Sequence, residues 1–146
     1  MNLSKDLLLK SLRAVLFGKK LYASDFAEAD WKSIFQLADE QTVSALLLEG
    51  MSLLPSECIT IPLGDKLKRI ATMQRIEQIN RLHRKVIVKI DQALKSEGIP
   101  VVFMKGQVTA LRYPNPLHRT PGDIDFVVDP KDFKKTMEVL EKIGKV

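Results

Sequence analysis

An unbroken helical pattern over residues 65–96 constrains the fold more than any other feature of the chain. Apolar residues recur there at steps of three and four, and neither Gly nor Pro intervenes before Gly98. The apolar positions are Leu67, Ile70, Met73, Ile76, Ile79, Leu82, Val86, Ile90 and Ala93. At a rise of about 1.5 Å per residue, the segment predicts a helix on the order of 50 Å long. Because that is long for a small domain, we expect this helix to connect two regions of the chain.

The residues before this helix carry helical patterns only. Asp30 is a typical N-cap residue and predicts a helix that begins near Trp31. Apolar residues resume over 43–54, and residues 55–64, with two Pro and a Gly, form the clearest linker. We therefore expect a helical region over 1–63, followed by the long connecting helix at 64–97.

After Gly98 the pattern changes from helical to strand-like. Residues 99–104 form a short apolar run that is typical of a buried strand, and residues 123–128 predict a second strand. Between them we expect one or two helical turns over 107–112 and a loop, containing three Pro, over 113–122. A further helix is predicted after Asp129-Pro130. The region 98–146 thus has the order β-α-loop-β-α, and the fold class is α/β, or α+β under looser naming.

The excess of basic over acidic residues is confined to the long helix. Residues 65–97 hold nine Lys/Arg against four acids, whereas the remainder holds 14 of each, so this segment carries the whole net charge of +5. A basic face for nucleic acid and a solvated helix surface both fit this pattern, and the second is the more common. Cys58 is the single cysteine, which fits a reducing compartment. No apolar run approaches the roughly 20 residues of a transmembrane helix, so we expect a cytoplasmic protein without membrane contact.

Asp123 and Asp125 are the first candidates for chemistry. They stand two residues apart at the start of the second predicted strand, where such residues point to the same face. Neighbouring carboxylates repel each other, and a divalent cation removes that repulsion; hard oxygen ligands suit Mg²⁺. The alternative is a turn acid followed by a solvated acid at the sheet edge, and the spacing alone does not separate the two.

Lys105-Gly106 forms the second candidate element, where the first predicted strand gives way to a helix. A Gly at such a junction permits close approach of the backbone to a phosphate. Arg119, four residues before Asp123, is placed to contact a phosphate as well. A plain turn and an exposed loop Arg are the alternatives, and neither a Walker A motif nor a Gly-x-Gly-x-x-Gly motif occurs in the chain. His118 lies beside Arg119, but the sequence shows no partner for it.

The order of these motifs resembles a known superfamily. Val101–Gly106, then Tyr113-Pro114, Arg119, the Asp123–Val128 strand and a following helix are similar to the nucleotidyltransferase (polymerase-β-like) superfamily. Within it they resemble a bacterial family of uncharacterised nucleotidyltransferases, whose members show a Lys-Gly strand end, a Tyr-Pro loop, an Arg and an Asp-x-Asp strand. That family also begins with an α-helical region.

The resemblance implies a function: Mg²⁺-dependent transfer of a nucleoside monophosphate from an NTP to an unidentified acceptor. It implies that Asp123 and Asp125 are the catalytic, metal-binding pair. Gly106 would be the glycine of the phosphate turn, and Lys105 and Arg119 would contact the triphosphate. Metal-bridged phosphate oxygens and a charge clamp are what such a transfer requires.

Two departures from the superfamily shape our remaining expectations. Gln107 follows Gly106 where Ser or Gly is usual, and the third carboxylate of the superfamily lies on a later strand that cannot be found before Val146. We therefore expect the chain to be an N-terminal portion that transfers no nucleotide by itself. Because two strands rarely form a stable sheet alone, we expect either the N-terminal helices to cover the sheet or the chain to form a homo-oligomer. Two other functions remain open: a non-catalytic nucleotide- or partner-binding module with an incomplete site, and a helical nucleic-acid-binding module that uses residues 65–97.

Overall fold

Six α-helices and one two-stranded sheet form an α+β fold in the computed structural model, which describes residues 2–144. The elements are α1 (Leu3–Phe17), α2 (Trp31–Glu40), α3 (Ser44–Met51), α4 (Leu63–Ser96), β1 (Val101–Met104), α5 (Gly106–Ala110), β2 (Asp125–Val128) and α6 (Phe133–Ile143). Short 3₁₀ helices cover Ala23–Phe26, Ser56–Cys58, Pro116–His118 and Pro130–Asp132. Residue 1 of the predicted helical region and residues 145–146 of the predicted β-α-loop-β-α region lie outside the described residues.

The first three helices pack around one apolar core. Ile34 and Leu47 are fully buried at its centre. Asp30 caps α2 as predicted, because its carboxylate accepts a hydrogen bond from the Ser33 backbone N–H at 3.2 Å. The Trp31 indole N–H donates to the Cys58 carbonyl at 3.0 Å, which ties the linker to this core.

The long helix exists, but its apolar residues do not share one face. It begins at Leu63, two residues before the predicted start, and its buried positions are Ile76, Asn80, Ile90 and Leu94. Leu67 and Leu82 are instead 59% and 58% exposed. Three-residue steps turn an α-helix through about 300°, so a row at that spacing winds around the axis instead of facing one side. Among residues 2–144, no helix is both long enough and apolar enough to cross a membrane.

The two strands are antiparallel and pack by one face only. Val101 pairs with Val128 and Phe103 with Phe126, and the two phenyl rings lie 5.8 Å apart on the inner face. This face packs against α4 and α6, whose buried residues there are Ile90, Leu94 and Val139. The two helices α4 and α6 therefore cover the sheet. Our expectation that the N-terminal helices would cover it was wrong. Formation of a homo-oligomer stays a prediction.

The second strand begins at Asp125, so the predicted start at Asp123 is wrong. Met104 is the last residue of β1, and it pairs with Asp125. Lys105 then has φ 49° and ψ −131°, which turns the chain out of the sheet and into α5. No strand therefore runs opposite the residues that precede Asp125, and Asp123 lies in the loop before β2.

Candidate functional site

The junction between β1 and α5 brings distant parts of the chain together. Lys105 is one of two described non-glycine residues with a positive φ, the other being Thr42. Such a conformation stores strain of about 1–3 kcal/mol, and strained residues are frequent at functional sites. A Cβ atom at the buried Gly106 would lie 3.4 Å from the Asp123 carbonyl oxygen and 3.8 Å from Nη1 of Arg119. The structure thus places Gly106, Arg119 and Asp123 in one place.

Lys105 and Asp125 lie next to this group. Nζ of Lys105 is 3.9 Å from Oδ2 of Asp125, and their side chains are 73% and 40% exposed. A pair this exposed and this long contributes little to stability. All five residues singled out by the sequence therefore surround the end of β1 and the segment that enters β2. Their roles in binding metal or phosphate remain predictions.

Asn80 holds the loop that carries Arg119, and sequence reasoning missed it. Its Nδ2 donates to the carbonyl oxygens of Leu117 at 2.7 Å and of Arg119 at 2.8 Å. Its Oδ1 accepts from Nε2 of Gln107, also at 2.7 Å. The signal available in the sequence was a polar residue four positions after the apolar Ile76, on what proves to be the buried side of α4.

His118 fixes the same loop to the helical region. Its ring Nδ1 lies 2.5 Å from Oε2 of Glu49 in α3, and Nε2 lies 3.1 Å from Oε1 of Glu77 in α4. The His118 side chain is only 8% exposed. Partial burial raises the pKa of Glu77, but hydrogen bonds from His118 and Arg81 outweigh it and hold that pKa below its ordinary value. The two carboxylate partners of His118 escaped the sequence analysis because they are 69 and 41 residues away along the chain.

The carboxylates of Asp123 and Asp125 supply the kind of oxygen that Mg²⁺ prefers, and their role as ligands of a Mg²⁺ ion stays a prediction. Asp123 is exposed and Asp125 half-buried, so both are open to a ligand. Mg²⁺ is usually held by one or two carboxylates together with waters and substrate phosphates. No group of three or more His, Cys, Asp or Glu side chains suited to a metal occurs in the described part of the chain. Asp129, the next carboxylate, accepts from the Lys131 backbone N–H at 3.0 Å and caps the short helix there.

Some of the basic residues of α4 are paired with acidic side chains. Arg69 pairs with Asp39 at 2.6 Å, Arg81 with Glu77 at 2.9 Å, and Lys95 with Asp91 at 2.8 Å. The other bases lie on the sides of the helix away from the buried Ile76, Asn80, Ile90 and Leu94, and most of them are exposed. This arrangement favours a solvated helix, and nucleic-acid binding by residues 65–97 stays an untested alternative.

Comparison with known proteins identifies the class of protein. The model of a family described as "Uncharacterised nucleotidyltransferase" matches residues 27–145. The chain belongs to this family, which confirms the resemblance read from its motifs. The match includes the helical region from α2 onward as well as both strands. Neither the curated proteins nor the solved structures yielded a match.

Proposed function

We propose that this chain binds an NTP together with Mg²⁺ at the β1–α5 junction, for transfer of the nucleoside monophosphate to an acceptor. The supporting observation is that the backbone carbonyl of Asp123 and the guanidinium of Arg119 both lie within 4 Å of the position that a Cβ atom at Gly106 would take, although the three residues come from separate segments. Membership of the nucleotidyltransferase family supports the class of reaction. Substrate preference and the acceptor are not specified by either observation.

Each of the candidate residues would have a separate role in such a reaction. Asp123 and Asp125 would hold the metal, and Mg²⁺, when bound, neutralises charge on the phosphate oxygens. Lys105 and Arg119 would bind the β- and γ-phosphates, and the missing side chain at Gly106 lets the backbone approach them. A nucleophilic oxygen of the acceptor then forms a bond to the α-phosphorus while the bond to the bridging oxygen breaks. Pyrophosphate leaves with that electron pair, and the acceptor oxygen releases its proton to solvent water.

Binding measurements test the site directly. We expect calorimetric titration with ATP, GTP, CTP or UTP to show binding that requires Mg²⁺ and that is lost in Asp123→Asn, which removes the charge but keeps the shape. Asp129→Asn is the matched control, because Asn caps a helix as well as Asp does and the residue lies outside the site. Absence of Mg²⁺-dependent binding in the unaltered chain, or equal affinity in Asp123→Asn, would contradict the proposal.

A second set of assays separates the alternatives. Incubation with each labelled NTP and a panel of acceptors measures transfer, and any transfer would overturn the expectation that this chain alone is inactive. Nucleotide binding without transfer is the outcome expected of this chain, and the non-catalytic module predicts it as well. Binding of RNA or DNA that falls steeply with salt and persists in Asp123→Asn would instead favour the nucleic-acid-binding module.

A further inference from the structure

Asn80 carries a buried side-chain amide that hydrogen-bonds to Leu117, Arg119 and Gln107. It is 1% exposed, on a side of α4 where its buried neighbours Ile76 and Ile90 are apolar. A buried amide without hydrogen-bond partners would destabilise the fold. Here both N–H groups of the amide are used, one on each of two carbonyl oxygens, and its oxygen accepts one hydrogen bond. The side chain is thus satisfied entirely by residues outside its own helix.

Those partners belong to the two segments that form the candidate phosphate site. The carbonyl of Arg119 fixes the point from which the Arg119 side chain leaves the loop. Gln107 directly follows Gly106 and is the second residue of α5. Asn80 therefore joins the glycine turn and the arginine loop through a single rigid helix. The departure from the superfamily at Gln107 has a structural use here, since the side chain faces Asn80.

Further contacts hold the loop that carries Arg119. His118 is held between Glu49 and Glu77, and the Thr120 hydroxyl donates to the Thr42 carbonyl at 2.5 Å. These contacts anchor the loop to the helical region, and the Asn80 side chain hydrogen-bonds both to the loop and to the residue after Gly106. Nη1 of Arg119 lies 3.8 Å from the Cβ position at Gly106 and donates to the Thr120 carbonyl at 3.2 Å, so the guanidinium is placed by the loop that Asn80 holds.

We propose that Asn80 is a positioning residue of the phosphate site: it sets Arg119 against the Gly106 turn so that both contact the same triphosphate. This inference rests on the proposed function. If the Gly106 turn and the loop that carries Arg119 are misaligned, the Arg119 guanidinium contacts the phosphates poorly. Removing the Asn80 amide should then weaken nucleotide binding by displacing Arg119 from the Gly106 turn.

A double-mutant cycle tests this dependence. The probes are the NTP that binds most tightly and inorganic tripolyphosphate, each with Mg²⁺. We expect Asn80→Ala to weaken both by about tenfold, or about 1.4 kcal/mol, in the otherwise unaltered chain. In the Arg119→Ala background the same substitution should cause no further loss. Equal losses in both backgrounds would show a general structural role and overturn the inference.

Controls keep this result distinct from failure of the proposed function. Ser44→Ala removes another buried hydrogen bond, the one from Ser44 to Asp39 at 2.6 Å, and should lower stability without changing affinity. If Asn80→Ala does not fold, Gln107→Ala breaks the same connection at a half-buried position, with the same expected cycle. Nucleotide binding that Asn80→Ala and Gln107→Ala leave unchanged would refute the positioning role alone. Absence of nucleotide binding in the unaltered chain would refute both proposals.

Discussion

Replacing Lys105 by Gly should make the protein more stable while weakening its site. Lys105 has φ 49° and ψ −131°, a region where a Cβ atom is unfavourable and Gly is not. Removing this strain should raise the free energy of unfolding by about 1–3 kcal/mol. The greater freedom of Gly in the unfolded chain offsets about 0.4–1 kcal/mol of that gain. Loss of the exposed contact to Asp125, at 3.9 Å, offsets less still.

The net result should be a gain of about 1 kcal/mol in the free energy of unfolding. Urea denaturation, with the free energy extrapolated to water, measures this change. Lys105→Ala is the matched control, because it removes the same charge but keeps the Cβ atom and hence the strain. Its stability should lie within about 0.5 kcal/mol of the unaltered chain. Both variants should bind NTP more weakly, since both lose the ammonium group.

Two results would refute this reasoning. If Lys105→Gly is no more stable than Lys105→Ala, the backbone at this junction is not strained. If Lys105→Gly gains stability and also keeps full nucleotide affinity, the strain serves some purpose other than placing a phosphate contact.

Three further predictions concern Gly106, Glu77 and Arg69. Gly106→Ala should change the free energy of unfolding by less than about 0.5 kcal/mol, because its Cβ meets neighbours at ordinary contact distances, yet calorimetry should show weaker NTP binding. The lowered pKa of Glu77 means that its carboxylate stabilises the fold above its ordinary pKa of 4.5 and that this contribution is lost as the pH falls below it. The stability difference between the unaltered chain and Glu77→Gln, from urea titrations at pH 7 and pH 4, should therefore shrink at the lower pH. Arg69→Ala removes the pair with Asp39 at 2.6 Å and a guanidinium 4.4 Å from the Phe35 ring centre, and should cost about 1 kcal/mol in urea denaturation.

Local patterns predicted the elements of this fold well because their causes are local. The Asp30 cap, the strand ending at Met104 and the long helix without Gly or Pro each depend on residues a few positions apart. The start of β2 was misplaced because the backbone of Lys105, about twenty residues away, decides where the ladder ends. The exposure of Leu67 was likewise hidden, since no local pattern states which side of α4 meets the rest of the chain.

The candidate site divides in the same way. Residues with a charge or a glycine at a strand end were visible in the sequence, and the structure brings them together. The roles of Asn80 and of the carboxylate partners of His118 were not visible, because they act through contacts between residues 27 to 69 positions apart. A polar residue within an apolar helical stretch is the one sign that such a residue leaves in a sequence.

Crystals grown with Mn²⁺ and a non-hydrolysable NTP analogue would test the central claim most directly. Mn²⁺ takes the same hard oxygen ligands as Mg²⁺ and gives an anomalous signal that locates it. The account predicts one anomalous peak bound by the carboxylates of Asp123 and Asp125 at about 2.1 Å, with the triphosphate reaching Gly106 and Arg119. A peak held by other residues, or a triphosphate bound away from the β1–α5 junction, would contradict it.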